Sequence, residues 1–213
     1  INLVDAVAEA GVGHFVFSTL PPVERATGGR LRSPHFDLKA RMEEHARSLG
    51  LPATFVHAAY YFDNFLYFFV PQRQEDGSYH FGFPQGDTPL AAMSVSDVGA
   101  IVAQIFEQPE NYLGKVVKLA GDELPPAEYA AIMSRVSGAN IRYAYIPREV
   151  FASFGFPGAA DLADMFEYYR TVMPSRAEEV EKCRALAPEL QSFATWAERN
   201  AAALRGSLES SAA

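Results

Sequence analysis

A histidine and a lysine stand four residues apart in SPHFDLKARMEEH, the stretch from Ser33 to His45. On a helix that spacing puts both side chains on one face. Some carbonyl-reducing enzymes place a proton donor, a tyrosine, and a lysine in this way. Here His35 holds the donor position and Lys39 the second. An imidazole, with an unperturbed pKa of about 6.5, is chemically able to donate. It follows Pro34, however, at the helix start, where it is expected to cap and where the positive end of the helix dipole disfavours its charged form. Lys39 also has an ordinary role open to it, an i,i+4 ion pair with Glu43 on a solvated face.

A second polar group interrupts an apolar run. YYFDNFLYFF, Tyr60 to Phe69, carries seven aromatics in ten residues. It follows ATFVHA, Ala53–Ala58, which reads as a buried strand. The crevice outside the carboxyl ends of parallel strands is where open α/β sheets bind ligands. Asp63 and Asn64 are therefore candidates to hydrogen-bond a ribose or an amide. The ordinary alternative has the aromatics sealing an internal junction while Asp63 and Asn64 cap the next turn.

These residues need elements to position them. NLVDAVAEAG has the spacing of a helix that stops at Gly11, and HFVFS, His14–Ser18, is a short apolar strand. A loop with Pro21, Pro22, Gly28 and Gly29 leads to the His35–Lys39 helix, which ends near Gly50. Helix and strand then alternate through 53–57, a helix over 96–107 with Ser or Asp caps, and a strand over 115–120. Short connections of this kind imply parallel pairing through right-handed crossovers. SYHFGF and IRYAYI read as strands and LPPAEYAAIMSRVSG as a helix closed by Gly138. From Gly158 to about Arg205 the pattern is helical, with GSLESSAA expected to fray. Along DLADMFEYYRTVM, Leu162, Met165, Phe166, Tyr169 and Val172 fall at helical spacing. That stripe is expected to be core, with a dimer contact as the minor alternative.

The fold class is thus α/β, a parallel sheet with a smaller α+β lobe. The division assigns 1–70 and 91–121 to the sheet part, and 71–90 and 122–213 to the lobe. The chain opens on Ile1 with no N-cap ahead of its first helix, so an N-terminal portion is expected to precede it. No GxGxxG motif follows a strand; Gly11-Val-Gly13 comes after a helix, where it reads as a C-cap. The five histidines lack metal-site spacing, and no GxSxG elbow is present. With one cysteine, Cys183, the chain fits a reducing cytosol or nucleus. Its net charge of −8 argues against a nucleic-acid surface and favours basic proteins as partners. No apolar run reaches the roughly 20 residues of a membrane span.

The run FVFSTLPPVERATGGRLRSPHFDLKARMEEHARSLGLPATFVHAAYYFDNFL resembles the NmrA-like proteins, atypical relatives of the short-chain dehydrogenases. The resemblance continues through FPQGDTPLAAMSVSDVG, AEYAAIMSR and FGFPGAADLADMFEYY, nearly the whole chain up to Tyr169. It implies a Rossmann-type domain binding NADP(H). The matching positions for cofactor contact are Lys39 and the segment Tyr61, Phe62, Asp63 and Asn64, with Ser18 as a lesser candidate beside the nicotinamide. It further implies a redox sensor, cytoplasmic or nuclear, that acts through regulatory protein partners, with homodimerisation open and with Lys39 retained as a clamp and His35 as a non-catalytic replacement. The rivals are a true NAD(P)H-dependent reductase of a small carbonyl or quinone, and a scaffold with a vestigial cofactor site. The segment that would carry the phosphate loop, and would read NADP against NAD, has no counterpart in this sequence.

A dinucleotide draws much of its affinity from amides and a helix dipole at its pyrophosphate. Each charge-assisted hydrogen bond lost there is worth roughly 1.5–3 kcal/mol, so two losses weaken binding about a hundredfold or more. Calorimetric titration of residues 1–213 alone should therefore show NADP binding weaker than micromolar; tighter binding would place the affinity in the Lys39 and Asn64 region instead.

Overall fold

The computed structural model describes residues 2–211. Helix α1 (Asn2–Glu9) leads into β1 (Phe15–Ser18), a one-turn helix α2 (Val23–Ala26) and the long helix α3 (Pro34–Ser48). Pro34 at the first turn supplies a backbone angle already suited to a helix. Next come β2 (Ala53–His57), β3 (Tyr60–Tyr61), the short α4 (Asn64–Tyr67), β4 (Gln72–Arg73), β5 (Tyr79–Phe83) and β6 (Leu90–Met93). A 3₁₀ turn at Val95–Asp97 opens α5 (Val98–Glu107), followed by α6 (Pro109–Tyr112), β7 (Val116–Lys118) and β8 (Asp122–Leu124). The remainder is α7 (Pro126–Ser137), β9 (Ile141–Tyr145), α8 (Arg148–Ala152), α9 (Ala159–Thr171), α10 (Ala177–Leu186), α11 (Phe193–Arg199) and α12 (Ala201–Ser210).

The expected parallel sheet forms in the order β1-β2-β7, with Phe15 opposite Ala53 and Phe55 opposite Val116. All five residues of β2 are buried, as befits a central strand covered on both faces. Val4 of α1 packs against Ala46, Ala53 and Phe55, and His45 Nε2 meets Asp5 Oδ1 at 2.6 Å, which fixes α1 to α3. No helix among the described residues is long and apolar enough to cross a membrane.

Two further sheets stand outside this one. In the first, β3 pairs parallel with β6, which pairs antiparallel with β8. In the second, β5 pairs antiparallel with β4 and parallel with β9. Gly82 is required in β5: a Cβ there would lie 2.5 Å from the Ala144 carbonyl oxygen of β9. Strands β3, β4, β6 and β8, of two to four residues, are too short for an alternation to reveal them in the sequence. Gly138 closes α7 with a left-handed φ of +80°, as its position suggested.

Two local expectations are corrected. The Ser and Asp residues ahead of α5 do not cap it with their side chains. Asp97 instead turns both oxygens to Gln191, accepting its backbone N–H and its side-chain amide, each at 2.9 Å. The tail does not fray as far as it is described. It is helical through Ser210, Leu204 and Leu208 are buried in the main core, and the Ser211 hydroxyl donates to the Pro71 carbonyl. Residues 212 and 213 of the expected frayed segment lie outside the described residues. One leucine, four residues beyond another, supplies the apolar contact that composition alone did not reveal. Leu208→Ala should cost about 2–4 kcal/mol in denaturant unfolding, a core-sized loss from a tail position.

Candidate functional site

Helix α3 carries both residues of the His35–Lys39 pair, and its N-terminus is held from elsewhere in the chain. The Ser33 hydroxyl at the N-cap donates to Asp161 of α9 and leaves the backbone uncapped. Asp161 also accepts the His35 N–H at 3.3 Å and meets His35 Nδ1 at 2.7 Å. Asp164, one turn further along α9, accepts the Arg32 N–H at 2.7 Å and pairs with Arg148. Asp37 adds contacts from inside α3, taking the amides of Ser33 and Glu24. Amides near a helix start lack intrahelical partners, and here carboxylates from a second helix take two, those of Arg32 and His35. The expectation that His35 caps its own helix is corrected: its ring is bound to the Asp161 carboxylate of α9 instead.

The alternative open to Lys39, an ion pair with Glu43, does not form. Glu43 points inward, accepting from Thr19 Oγ1 at 2.7 Å and from Arg47 Nη2 at 2.8 Å, with His57 Nε2 at 3.1 Å. Burial favours the protonated form of Glu43, but these hydrogen bonds outweigh it and hold the carboxyl at about 2. Lys39 is thereby left to reach across to the tip of β1, where its ammonium donates to Ser18 Oγ at 3.2 Å. Burial pushes the Lys39 pKa down.

Beside this pair opens a cavity of about 900 Å³. Ser18, Lys39, Tyr61 and Asn64 all line it, as does His35. Phe62 and Asp63 do not, which narrows the set of side chains expected to meet a ligand. Phe62 is fully buried against Tyr129, Phe193 and Trp196. Asp63 accepts the Val95 N–H at 3.0 Å. The backbone alternation of an extended segment sends Phe62 to the opposite side from Tyr61, and the turn into α4 then carries Asp63 off the wall. Burial, and next the Asp63 carboxylate, raise the Tyr61 pKa, so its phenol stays a donor. The buried Tyr60 hydroxyl makes no hydrogen bond of good geometry, although the Asn64 side chain stands beside it.

The apolar walls come from residues the sequence pattern had assigned to core. Leu162, Met165 and Tyr169 of α9 line the cavity, while Phe166 between them is fully buried in the core. Val172 falls beyond the end of α9 and is exposed. Phe69, Phe151 and Phe154 complete an aromatic side. The cavity's polar lining is an ammonium with donors to spare, a serine hydroxyl, a phenol and an amide. That donor set fits the ribose hydroxyls and carboxamide of a nicotinamide riboside, next to space for a second, apolar molecule.

A parallel sheet flanked by helices, with its crevice at the carboxyl ends of β1 and β2, defines a Rossmann-type α/β protein. The chain belongs to the NmrA-like family, whose pattern it matches over residues 1–198. It is 32% identical over 188 residues to the NmrA-like family domain-containing oxidoreductase FrzB of Cladobotryum sp, covering 80% of this chain and 56% of that protein. To the nitrogen metabolite repression protein nmr of Neurospora crassa it is 33% identical over 156 residues, 70% of this chain and 32% of the relative. The chain thus spans between about a third and just over half the length of these relatives. The crystal structure of NmrA, a negative transcriptional regulator, in complex with NADP superposes with a TM-score of 0.76 at 24% identity, covering 92% of this chain and 67% of that one. The same regulator has also been crystallised with NAD.

Glu43 makes the site sensitive to acid. Its carboxyl ionises at about 2 in the fold against 4.5 unperturbed, so between those values the folded chain binds fewer protons than the unfolded one. The stability it contributes is therefore complete above about pH 4.5 and is lost as pH falls toward 2. Glu43→Gln should lower stability at pH 7 by roughly 1–3 kcal/mol and flatten its decline in acid, as measured by urea unfolding at pH 7 and pH 3.

Proposed function

We propose that this chain forms part of an NADP(H)-dependent reductase of small, apolar carbonyl compounds. The observation that carries the reading is the cavity of about 900 Å³ opening directly onto Lys39 and Ser18. Its volume exceeds what a nicotinamide needs, and Phe69, Phe151 and Phe154 are among the residues that line it, which suits an uncharged carbonyl or quinone. Lys39, Ser18, Tyr61 and Asn64 are the residues assigned to the nicotinamide and its ribose. When bound, the reduced nicotinamide would supply hydride; the chain's own residues orient the two molecules and exclude water. The name of the Cladobotryum relative, an oxidoreductase, supports this reading.

A second reading is a redox-reporting regulator, in which NADP(H) occupancy changes association with a protein partner or a second copy. Tyr67 and Phe68 of the aromatic run are 73% and 80% exposed, with Phe154 and Phe156 exposed as well, and exposed aromatics of this size suit a protein contact. The Neurospora relative, named as a nitrogen metabolite repression protein, favours it too.

The two separate on turnover. With the protein expressed from its complete gene, NADPH oxidation over a panel of aromatic carbonyls and quinones should proceed steadily. Lys39→Met should weaken NADPH binding roughly 10–100-fold through loss of one charge-assisted contact. Cofactor binding without turnover, but with a cofactor-dependent change in association, would establish the regulator instead.

A further inference from the structure

The i,i+4 pair on α3 has a third member that the sequence did not disclose. His35 Nδ1 lies 2.7 Å from Asp161 Oδ1, and its ring packs edge-on against Phe36 with centroids 4.8 Å apart. Asp161 is itself held, accepting the Ser33 hydroxyl and the His35 N–H. The ring therefore has one nitrogen committed and one, Nε2, without a hydrogen-bond partner among the described residues, on a side chain that lines the cavity one turn from Lys39. Lys39 and His80 are the other cationic or potentially cationic side chains lining that cavity.

We propose that His35, oriented by Asp161, is the proton donor to the carbonyl oxygen of a substrate bound in this cavity. The inference rests on the reductase reading. With Nδ1 engaged by the Asp161 carboxylate, Nε2 is the ring nitrogen left to carry the deliverable proton. The step balances. With a reduced nicotinamide bound, hydride would pass to the carbonyl carbon as the C=O π pair moves to oxygen, and oxygen would take the Nε2 proton, leaving an alcohol and oxidised nicotinamide. His35 is left neutral, with its proton on Nδ1 against Asp161, and recovers the other from solvent. Asp161 is a positioning residue in this scheme, and Lys39 retains its contact with Ser18 and the ribose.

The test compares His35→Phe, His35→Tyr and Asp161→Asn with the parent in the protein expressed from its complete gene, with 4-nitrobenzaldehyde and phenanthrenequinone as probes and with folding checked by circular dichroism. His35→Phe should lose roughly 10²–10⁴-fold in kcat with little change in KM for NADPH. His35→Tyr places a phenol at the same spacing from Lys39. It should recover activity and carry the fall in rate at alkaline pH to higher pH, since a free phenol ionises near pH 10. Nitrogen-resolved NMR of residues 1–213, without cofactor, should show the neutral imidazole protonated on Nδ1, a preference that Asp161→Asn abolishes. A folded His35→Phe within threefold of an active parent overturns the assignment and leaves the reductase reading standing. A parent that binds NADPH but reduces neither probe overturns both.

Discussion

The structure turns on the attachment of the N-terminal end of α3 to two carboxylates of α9. Without a side-chain cap of its own, α3 presents backbone amides that must find acceptors, and Asp161 and Asp164 supply them from more than a hundred residues away in sequence. Removing either carboxylate would leave donors unsatisfied at a partly buried site, which costs more than the hydrogen bond itself contributes. The same contacts join the helix that carries His35 and Lys39 to the helix that supplies Leu162, Met165 and Tyr169 to the cavity. The polar and apolar sides of the site are thereby set in a common frame.

A second constraint releases Lys39. Glu43, the nearest acidic residue along its face of α3, is engaged by Thr19 and His57 at the carboxyl ends of β1 and β2 and by Arg47 one turn further along α3. Three donors converging on one carboxylate make ionisation favourable despite burial, so the group works as a fixed negative hub between helix and sheet. The lysine is then free to meet Ser18 at the strand tip. A salt bridge on the surface would have been worth little; the inward placement instead gives the helix a register against the sheet.

The aromatic run after β2 does two jobs at once. Tyr61 and Asn64 face the cavity, whereas Phe62 and Phe65 enter a cluster with Tyr129, Phe193 and Trp196 drawn from α7 and α11. Burying those rings ties the late helices to the segment that borders the site. Edge-on and tilted ring contacts of this kind add to the area they remove from water.

How much of this was legible beforehand follows from the range of the forces involved. That β1, β2 and β7 share one parallel sheet showed in the sequence because apolar periodicity and short connections are local, and chirality leaves few ways to close them. His35 and Lys39 could be marked as a pair for the same reason, since four residues on a helix define a face. The choice among their partners was not local. The Lys39–Glu43 pair was the nearest option along the chain, yet Thr19 and His57, brought in by the sheet, took the carboxylate. Asp161 stands 126 residues from His35, and nothing in the spacing of either could announce their contact. Likewise, Phe62 and Tyr61 are adjacent and chemically alike, and only the packing on each side of the segment decides which meets a ligand and which is core. The residue types and local periodicities determined which elements form and which groups could act. The tertiary structure decided which of those groups are paired off and which face the cavity, because hydrogen-bond acceptors and apolar surface are shared among neighbours that are close only after folding.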